Sequence, residues 1–305
     1  MSIVAILCAD IHLSHTPPVA RSVEPDWYTA QERILEQIVI LARDNKVPIY
    51  VAGDIFDRWN PPVELVNFLI EFIKESGATV YAIPGQHDLP YHDKNQVFKS
   101  AYRTPILAEV VKSLTLGVFT DVISVMGAYY DEIPKIGFQK LSKKGRRALT
   151  VAVCHKYIWM NSDNSYPGAP AEGSVKTLAK KLKGFDVAVF GDNHIGFDCK
   201  VGDITIYNCG CLIPRKMDER KSKPSVGLLH EDGTVTREYL DTSKDLWIDV
   251  EDAINPEVVG MRDFIDGLKN LESDSFDFRE EVERYIADNK VERRVADLVL
   301  ESMGK

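Results

Sequence analysis

Five short segments of this chain end strand-like apolar runs with side chains that bind metals. In chain order they are Asp10-Ile11-His12, Gly53-Asp54, Gly85-Gln86-His87-Asp88, Cys154-His155 and Gly191-Asp192-Asn193-His194. A mixture of aspartate and histidine suits manganese, iron or zinc, whereas calcium and magnesium prefer oxygen ligands alone. Two such ions about 3.5–4 Å apart clamp a phosphoryl group and generate a hydroxide for in-line attack. The pattern therefore predicts a two-metal site that cleaves phosphate esters.

Each segment taken alone has an ordinary structural explanation. Asp, Asn and Gly commonly form turns at strand ends, and a single buried histidine is more often a hydrogen-bonded core residue than a ligand. All five segments together are hard to explain by turns. The other histidines, His15, His92 and His230, keep the structural interpretation. His92 follows the third segment closely enough to be a candidate contact to substrate.

Hydrophobic patterning indicates the elements that must position these segments. Val- and Ile-rich runs, which predict buried strands, precede every segment: Ile3–Cys8, Ile49–Ala52, Thr79–Ile83, Leu149–Val153 and Val187–Phe190. Apolar residues at helical spacing follow the first two segments, around Ile34–Ala42 and Leu65–Phe72. Alternating runs flank Glu231-Asp232-Gly233 and predict a hairpin over 225–239. These elements indicate an α/β fold in which helices between the ligand-bearing strands cover paired sheets.

Composition is typical of a cytoplasmic enzyme with no membrane association. The chain has 305 residues and five cysteines, an odd number without disulfide spacing. No apolar stretch approaches membrane-spanning length, and the amino terminus enters a strand without a signal peptide. Cys209 and Cys211 stand too close together for a zinc knuckle and are expected to be core thiols.

Net charge limits the predicted contact with nucleic acid. A nuclease that grips phosphates normally shows a basic face, but the net charge here is −9. Basic residues cluster at only two places: Lys140, Lys143, Lys144, Arg146 and Arg147, and then Arg215, Lys216, Arg220, Lys221 and Lys223. Such runs are usually solvated faces. Both clusters flank ligand-bearing segments, however, and Arg215 and Lys216 join His92 as candidate substrate-binding residues.

The order of the five segments resembles the signature of the calcineurin-like metallophosphoesterases, D-x-H, G-D, G-N-H-D, H, G-H-x-H, over about residues 1–240. The resemblance implies the metallophosphoesterase fold, a four-layer αββα sandwich of two mixed sheets, and two metal ions. The implied ligands of the first ion are Asp10, His12, Asp54 and His194. The implied ligands of the second are Gln86, His155, Asp192 and the bridging Asp54. The resemblance further implies that His87 contacts the phosphate and protonates the leaving group, while Asp88 holds that imidazole in its tautomer.

Two positions depart from the family pattern. Gln86 stands where asparagine is usual, and Asp192 stands where the first histidine of G-H-x-H is usual. Glutamine keeps the amide oxygen on a longer stem, and Asp192 adds a hard, negatively charged ligand. The second site should therefore tolerate manganese or magnesium. Manganese is the favoured cofactor, with iron, zinc and magnesium as alternatives.

Within this superfamily the chain resembles the SbcD-type DNA exonuclease subunits, in the compact form found in bacteria and their viruses. The resemblance rests on Asp10–Leu13, Gly53–Asp57, Ile83–Asp88 and Asn208–Cys211. It implies a DNA exonuclease or endonuclease of DNA repair, with DNA and an SMC-like coiled-coil ATPase as partners; a homodimer stays open. The expected division is a nuclease domain over 1–248 and a helical extension over 249–305. That extension either docks on the ATPase or folds back on the main domain.

Two hypotheses from other classes remain. The same two-metal core would serve a small-molecule phosphodiesterase or phosphatase acting on nucleotides or cyclic nucleotides, since fold does not fix substrate. Alternatively, a weakened second site would leave a scaffold subunit with a structural metal. His87 argues against the scaffold, which has no need of a leaving-group acid.

Overall fold

A computed structural model describes residues 2–136 and 147–248 of the chain. The strands there are β1 Ile3–Cys8, β2 Ile49–Ala52, β3 Val80–Ile83, β4 Val111–Ser113, β5 Val118–Phe119, β6 Ile123–Gly127, β7 Leu149–His155, β8 Val187–Gly191, β9 Phe197–Val201, β10 Ile204–Asn208, β11 Ser225–His230 and β12 Val235–Tyr239. The α-helices are α1 Trp27–Asn45, α2 Val63–Ser76, α3 Arg103–Leu107 and α4 Val175–Leu178. Short 3-10 helices lie between them.

The strands form two sheets of six strands each. The first has the order β12-β11-β1-β2-β3-β4, in which β1 to β4 are parallel. β11 pairs antiparallel with β1, and β12 pairs antiparallel with β11. The second has the order β5-β6-β7-β8-β10-β9, with a parallel centre and antiparallel edge strands. Both sheets are mixed, as expected.

Buried apolar residues fall into three layers that separate the helices and sheets. Ile34 and Ile38 of α1 and Leu65 and Leu69 of α2 pack on one face of the first sheet. The other face of that sheet packs against the second sheet through side chains that include Leu7, Tyr50, Val153 and Val189. The far face of the second sheet packs against α4 and the turn after it. The predicted four-layer αββα sandwich is confirmed.

The predicted elements agree closely with those observed. β1 and β2 have the predicted bounds, whereas β7 and β8 run on to His155 and Gly191. The hairpin over 225–239 forms as expected. α1 begins after Asp26, whose carboxylate accepts hydrogen bonds from the first turn of the helix.

The sequence analysis did not identify β4, β5, β6, β9 or β10. Most of these strands are short or lie at sheet edges, and none ends in a recognised ligand motif. The predicted helices of the extension, within 249–305, and the basic residues from Lys140 to Arg146 lie outside the described residues. Among the described helices, none has the length and apolar character needed to cross a membrane.

Candidate metal centre

The carboxyl ends of five parallel strands bring the predicted ligands to one place. Asp10 and His12 follow β1, Asp54 follows β2, Gln86 follows β3, His155 ends β7, and Asp192 and His194 follow β8. Parallel strands of one sheet share an end, and the two sheets face each other with these ends on the same side. The convergence thus follows from topology.

Two buried carboxylates lie between two buried imidazoles at the centre of the site. The Oδ2 atom of Asp54 is 3.7 Å from His12 Nε2 and 3.2 Å from His155 Nε2. The Oδ1 atom of Asp10 is 3.9 Å from His12 Nε2 and 4.0 Å from His155 Nε2. All four residues are almost completely buried. Each carboxylate is therefore placed to serve two cations.

In the described residues there are four groups whose donor atoms lie within 4.8 Å of one another, and two of them consist entirely of predicted ligands. Asp10, His12 and His194 make the first group, and Asp10, Asp54 and His155 make the second. The other two are His12, Asp57 and His87, and His194, Cys211 and Glu219. His12 and His194 approach with 3.1 Å between their Nε2 atoms. The resemblance assigned Asp10 to the first ion alone, whereas the structure places its carboxylate in both the first and the second group.

Unpartnered polar atoms test whether these residues fit a metal ion. Asp54 Oδ2 and His155 Nε2 are buried and have no hydrogen-bond partner among the described residues, which is costly in a protein interior. His155 Nδ1 lies 2.6 Å from the carbonyl oxygen of Ala52 and donates to it. With Nδ1 as the donor, loss of the other ring proton to a bound cation would leave Nε2 free as the ligand atom, the tautomer of a metal-binding histidine. The donor set fits divalent cations.

The pKa shifts of the buried aspartates and histidines indicate that the charges of this pocket are not balanced by the described residues. Burial raises the pKa of Asp10 to about 6, although nearby histidines oppose the shift. Burial would lower the pKa of His155, but the carboxylates of Asp54 and Asp10 outweigh it and raise that pKa to about 10. Burial lowers the pKa of His12 to about 3. A bound divalent cation would favour the deprotonated form of every one of these groups.

The backbone at the ligands adopts conformations that side chains rarely tolerate. Asp10, His12, Asp54 and Asp192 have φ angles of 52°, 50°, 53° and 85°. Left-handed residues other than glycine cost on the order of 1–3 kcal/mol each and concentrate at functional sites. A Cβ on Gly85 would lie 2.1 Å from Asp54 Oδ1. Glycine at that position therefore makes room for the bridging carboxylate.

The two departures from the family pattern are neighbours in space. The Gln86 side chain hydrogen-bonds to the carboxylate of Asp192 and so opposes the rise that burial causes in the pKa of that carboxyl group. The backbone N–H of Asp192 lies 3.1 Å from both carboxylate oxygens of Asp10. The Asp192 carboxylate belongs to none of the groups of close donor atoms in the described residues. Its role as a ligand, like that of Gln86, stays a prediction.

The structure corrects the expected partner of the His87 imidazole. His87 Nδ1 lies 2.8 Å from the backbone carbonyl oxygen of Asp57. The Asp88 carboxylate instead accepts hydrogen bonds from the backbone N–H groups of Ile55, Phe56 and Gly85. The expectation that Asp88 holds this imidazole is therefore wrong. Asp88 is fully buried beneath the turn and ties the loops after β2 and β3 together.

The candidate substrate-binding residues differ in ion pairing and in exposure. The Arg215 guanidinium is paired with the carboxylate of Asp57, whereas Lys216 and His92 are exposed. The His92 ring is 6.1 Å from the ring of Tyr130, which is itself 6.1 Å from the ring of His155. The three remain candidates, with His92 near the second group of ligands.

The described member of the first basic cluster lies far from the ligands. Arg147 precedes β7 and pairs with Asp186, just before β8. Both positions are at the amino ends of strands whose carboxyl ends carry the ligands. Arg147 is therefore not placed to guide substrate into the site.

Sequence reasoning missed two side chains at the site. Tyr130 follows the apolar run of β6, which is the same signal that marked the other ligand segments. Glu219 has a carboxylate oxygen 3.1 Å from His194 Nδ1. It lies inside the basic cluster after the last motif, where no pattern marks an acid.

Comparison with known proteins gives a family-level match. The model of the calcineurin-like phosphoesterase family matches residues 3–196, which contain all the predicted ligands. No curated protein matches the chain. Among solved structures, TT1561 of Thermus thermophilus is 12% identical and covers 79% of this chain and 100% of its own, with a TM-score of 0.47. A novel archaeal phosphodiesterase is 14% identical and covers 77% and 99%, with a TM-score of 0.41.

Proposed function

This chain belongs to the calcineurin-like phosphoesterase family, and from that premise we propose that it is a DNA exonuclease or endonuclease subunit that hydrolyses phosphodiester bonds with two manganese ions. The observation that carries the proposal is the pair of unpartnered, buried ligand atoms, Asp54 Oδ2 and His155 Nε2, which lie 3.2 Å apart. Buried polar atoms of this kind are costly unless a cation joins them.

The predicted ligands are divided between two metal positions. Asp10, His12 and His194 would hold one ion, and Asp10, Asp54 and His155 the other, with Gln86 and Asp192 beside the second. Asp54 would also bridge to the first ion, since its Oδ2 atom lies 3.7 Å from His12 Nε2. When bound, two divalent cations withdraw charge from the phosphoryl oxygens and supply a deprotonated water as nucleophile. The buried protein groups keep their positions without reorganisation, since most are fixed by backbone hydrogen bonds or packing.

His87 is placed to handle the leaving group. Its Nδ1–H donates to the carbonyl oxygen of Asp57, and its ring meets the His12 ring edge-on with 4.8 Å between centroids. The Nε2 atom therefore remains for the substrate. A protonated His87 would bind a phosphate oxygen and then deliver its proton to the departing alkoxide, a step worth about 10²–10⁴ in rate.

Surface chemistry near the site supports a nucleic-acid substrate. Lys216, Arg220 and Lys221 are exposed on the segment that follows the last ligand. Tyr91, shortly after His87, has 86% of its surface exposed and a left-handed backbone. An exposed aromatic ring offers a stacking surface for a base, worth about 1–3 kcal/mol. These features join the resemblance to SbcD-type subunits in favouring DNA over a compact ester.

An assay with two substrates tests the proposal. The manganese-loaded chain is given an end-labelled DNA duplex and, separately, bis-p-nitrophenyl phosphate, with Asp54→Ala as the inactive control. We expect both substrates to be hydrolysed by the wild-type chain and neither by the variant. Hydrolysis of the small ester alone would overturn the nuclease proposal for the isolated chain and favour a small-molecule phosphodiesterase.

The proposed partner has a separate test. We propose that residues 249–305 dock on a coiled-coil ATPase, as the resemblance implies. A pull-down with such an ATPase, using the full chain and a chain that ends at residue 248, should capture only the full chain. Equal capture of both would move the docking surface into the phosphoesterase domain.

A further inference from the structure

A carboxylate that no motif identified contacts the last predicted metal ligand. Glu219 Oε1 lies 3.1 Å from Nδ1 of His194, on the side of the ring away from His12. The opposite ring nitrogen, His194 Nε2, is the atom that lies 3.1 Å from His12 Nε2 within the ligand group. One edge of the imidazole is thus directed at the metal position and the other at Glu219.

Both oxygens of the Glu219 carboxylate are committed. The second oxygen, Oε2, accepts hydrogen bonds from the backbone N–H of Arg215 at 2.7 Å and of Lys216 at 3.1 Å. Burial would raise the pKa of Glu219, but the hydrogen bonds from His194 and the two amides outweigh it and lower that pKa to about 2. The group is therefore a fixed anion that cannot turn away from the imidazole without losing two backbone hydrogen bonds.

The geometry assigns a tautomer to His194. A carboxylate only accepts, so His194 Nδ1 must carry the proton and donate it. The neutral ring then presents an unprotonated Nε2 to the metal position, which is the form a metal binds. Without that acceptor, the proton could occupy either nitrogen and the ring could rotate.

We propose that Glu219 is a positioning residue that holds the His194 ring in its metal-binding orientation and tautomer. The inference rests on the proposed function in that both take His194 as a ligand. Glu219 lies outside the two groups that contain Asp10 and forms a separate group of close donor atoms with His194 and Cys211.

The segment that contains Glu219 is also connected to His87, the proposed leaving-group acid. Arg215, whose N–H is held by Glu219, pairs through its guanidinium with the carboxylate of Asp57. The carbonyl oxygen of Asp57 accepts the hydrogen bond of His87. A chain of contacts thus runs from His194 through Glu219, Arg215 and Asp57 to His87.

The test compares Glu219→Gln with the matched control Asp218→Asn. A glutamine has one acceptor oxygen where Glu219 uses two, so either His194 or the two amides must lose a partner. Asp218 is the adjacent, exposed acid, and its variant removes the same charge without touching His194. Calorimetric titration of the metal-free proteins with manganese should show affinity about 10–100-fold weaker in the glutamine variant and unchanged in the control.

A second measurement does not depend on metal. Nitrogen-15 NMR of the imidazole rings in the metal-free wild-type chain should show His194 protonated at Nδ1, and the glutamine variant should show a mixture of tautomers. A wild-type ring protonated at Nε2 and not at Nδ1 would overturn the inference, as would unchanged manganese affinity in the glutamine variant. A wild-type chain that binds manganese but hydrolyses nothing would defeat the proposed function alone.

Discussion

Asp54 is the residue on which the two-metal arrangement depends most. Its Oδ2 atom lies within 3.7 Å of one imidazole and 3.2 Å of another, and it has no other partner among the described residues. Asp54→Ala should therefore weaken both manganese positions, since it removes the shared carboxylate. Elemental analysis after dialysis should give two ions in the wild-type chain and fewer than one in the variant. Asp163→Ala, at an exposed acid, is the control; two ions retained in Asp54→Ala would contradict the shared bridge.

His87 should separate metal binding from chemistry. Asp10, His12 and His194 form their group without His87, whereas His87 forms a separate group of close donor atoms with His12 and Asp57. His87→Ala should keep both ions and lower turnover about 10²–10⁴-fold, as expected for loss of a general acid. Metal content and kcat on bis-p-nitrophenyl phosphate are measured on the same preparation. Loss of bound manganese in this variant would show that His87 is a ligand.

At this scale the sequence predicted the ligands better than the groups that orient them. Asp10, His12, Asp54, His155 and His194 carry side-chain chemistry directly after apolar runs, which is a local signal. The partner of the His87 ring is a backbone carbonyl, and every residue has one, so no residue type marks it. The partner of His194, Glu219, lies beyond the last motif, and only the tertiary path of the chain brings it near. The role of Asp88 came from the resemblance, whereas the backbone N–H groups of the neighbouring loops bind its carboxylate in the structure.

At the scale of elements, the strands that end in ligands could be predicted and the supporting strands could not. The strands β1, β2, β7 and β8 are continuous Val- and Ile-rich runs near Gly, Asp or His. Strands that are buried on both faces have this composition, because both faces contact apolar layers. β9 alternates buried and exposed residues at a sheet edge. Its turn into β10 contains Gly202 with a φ of 61°, a hairpin signal that the absence of a nearby ligand motif made easy to overlook.

The entry to α1 contains a buried ion cluster that should make stability depend on pH. The Glu24 carboxylate accepts hydrogen bonds from Arg21, Arg33 and the backbone N–H of Leu246. Burial opposes ionisation, but these donors outweigh it and lower the pKa of Glu24 below its usual 4.5. The unfolded chain therefore binds the proton more tightly than the folded chain, so this contribution is complete above about pH 5 and is lost as the pH falls through the folded pKa.

Urea unfolding between pH 3 and pH 7 measures that contribution. The wild-type free energy of unfolding should fall more steeply on acidification than that of Glu24→Gln, which cannot ionise there. Asp232→Asn supplies a control at an exposed carboxyl group whose pKa is also lowered, by Thr234. Parallel pH profiles for wild type and Glu24→Gln would show that the cluster contributes nothing to the pH dependence.

For the whole molecule, the sandwich was predicted through the family resemblance that the order of motifs carries. The topology of the parallel strands explains why those motifs converge. Alternation along β1 separates Ile6, which faces the helices, from Leu7, which faces the second sheet. Successive side chains of a strand point to opposite faces. When both faces of a central strand are apolar, a layer must pack on each side of the sheet. The division of the chain at residue 248 depends instead on a change of composition, and it stays a prediction.

Two truncated chains test that division, because the last described residues still contact the buried side chain of Arg21. Asp245 pairs with the buried Arg21 at 3.0 Å, and the Arg21 guanidinium lies 4.8 Å from the centre of the Trp247 ring. A chain that ends at residue 240 leaves Arg21 without these partners, and a broken buried ion pair costs about 3–5 kcal/mol. A chain that ends at residue 248 keeps them, so it should unfold in urea like the intact domain and hydrolyse bis-p-nitrophenyl phosphate at the full rate. If both truncated chains lose stability equally, residues 249–305 are part of the phosphoesterase domain and the division is wrong.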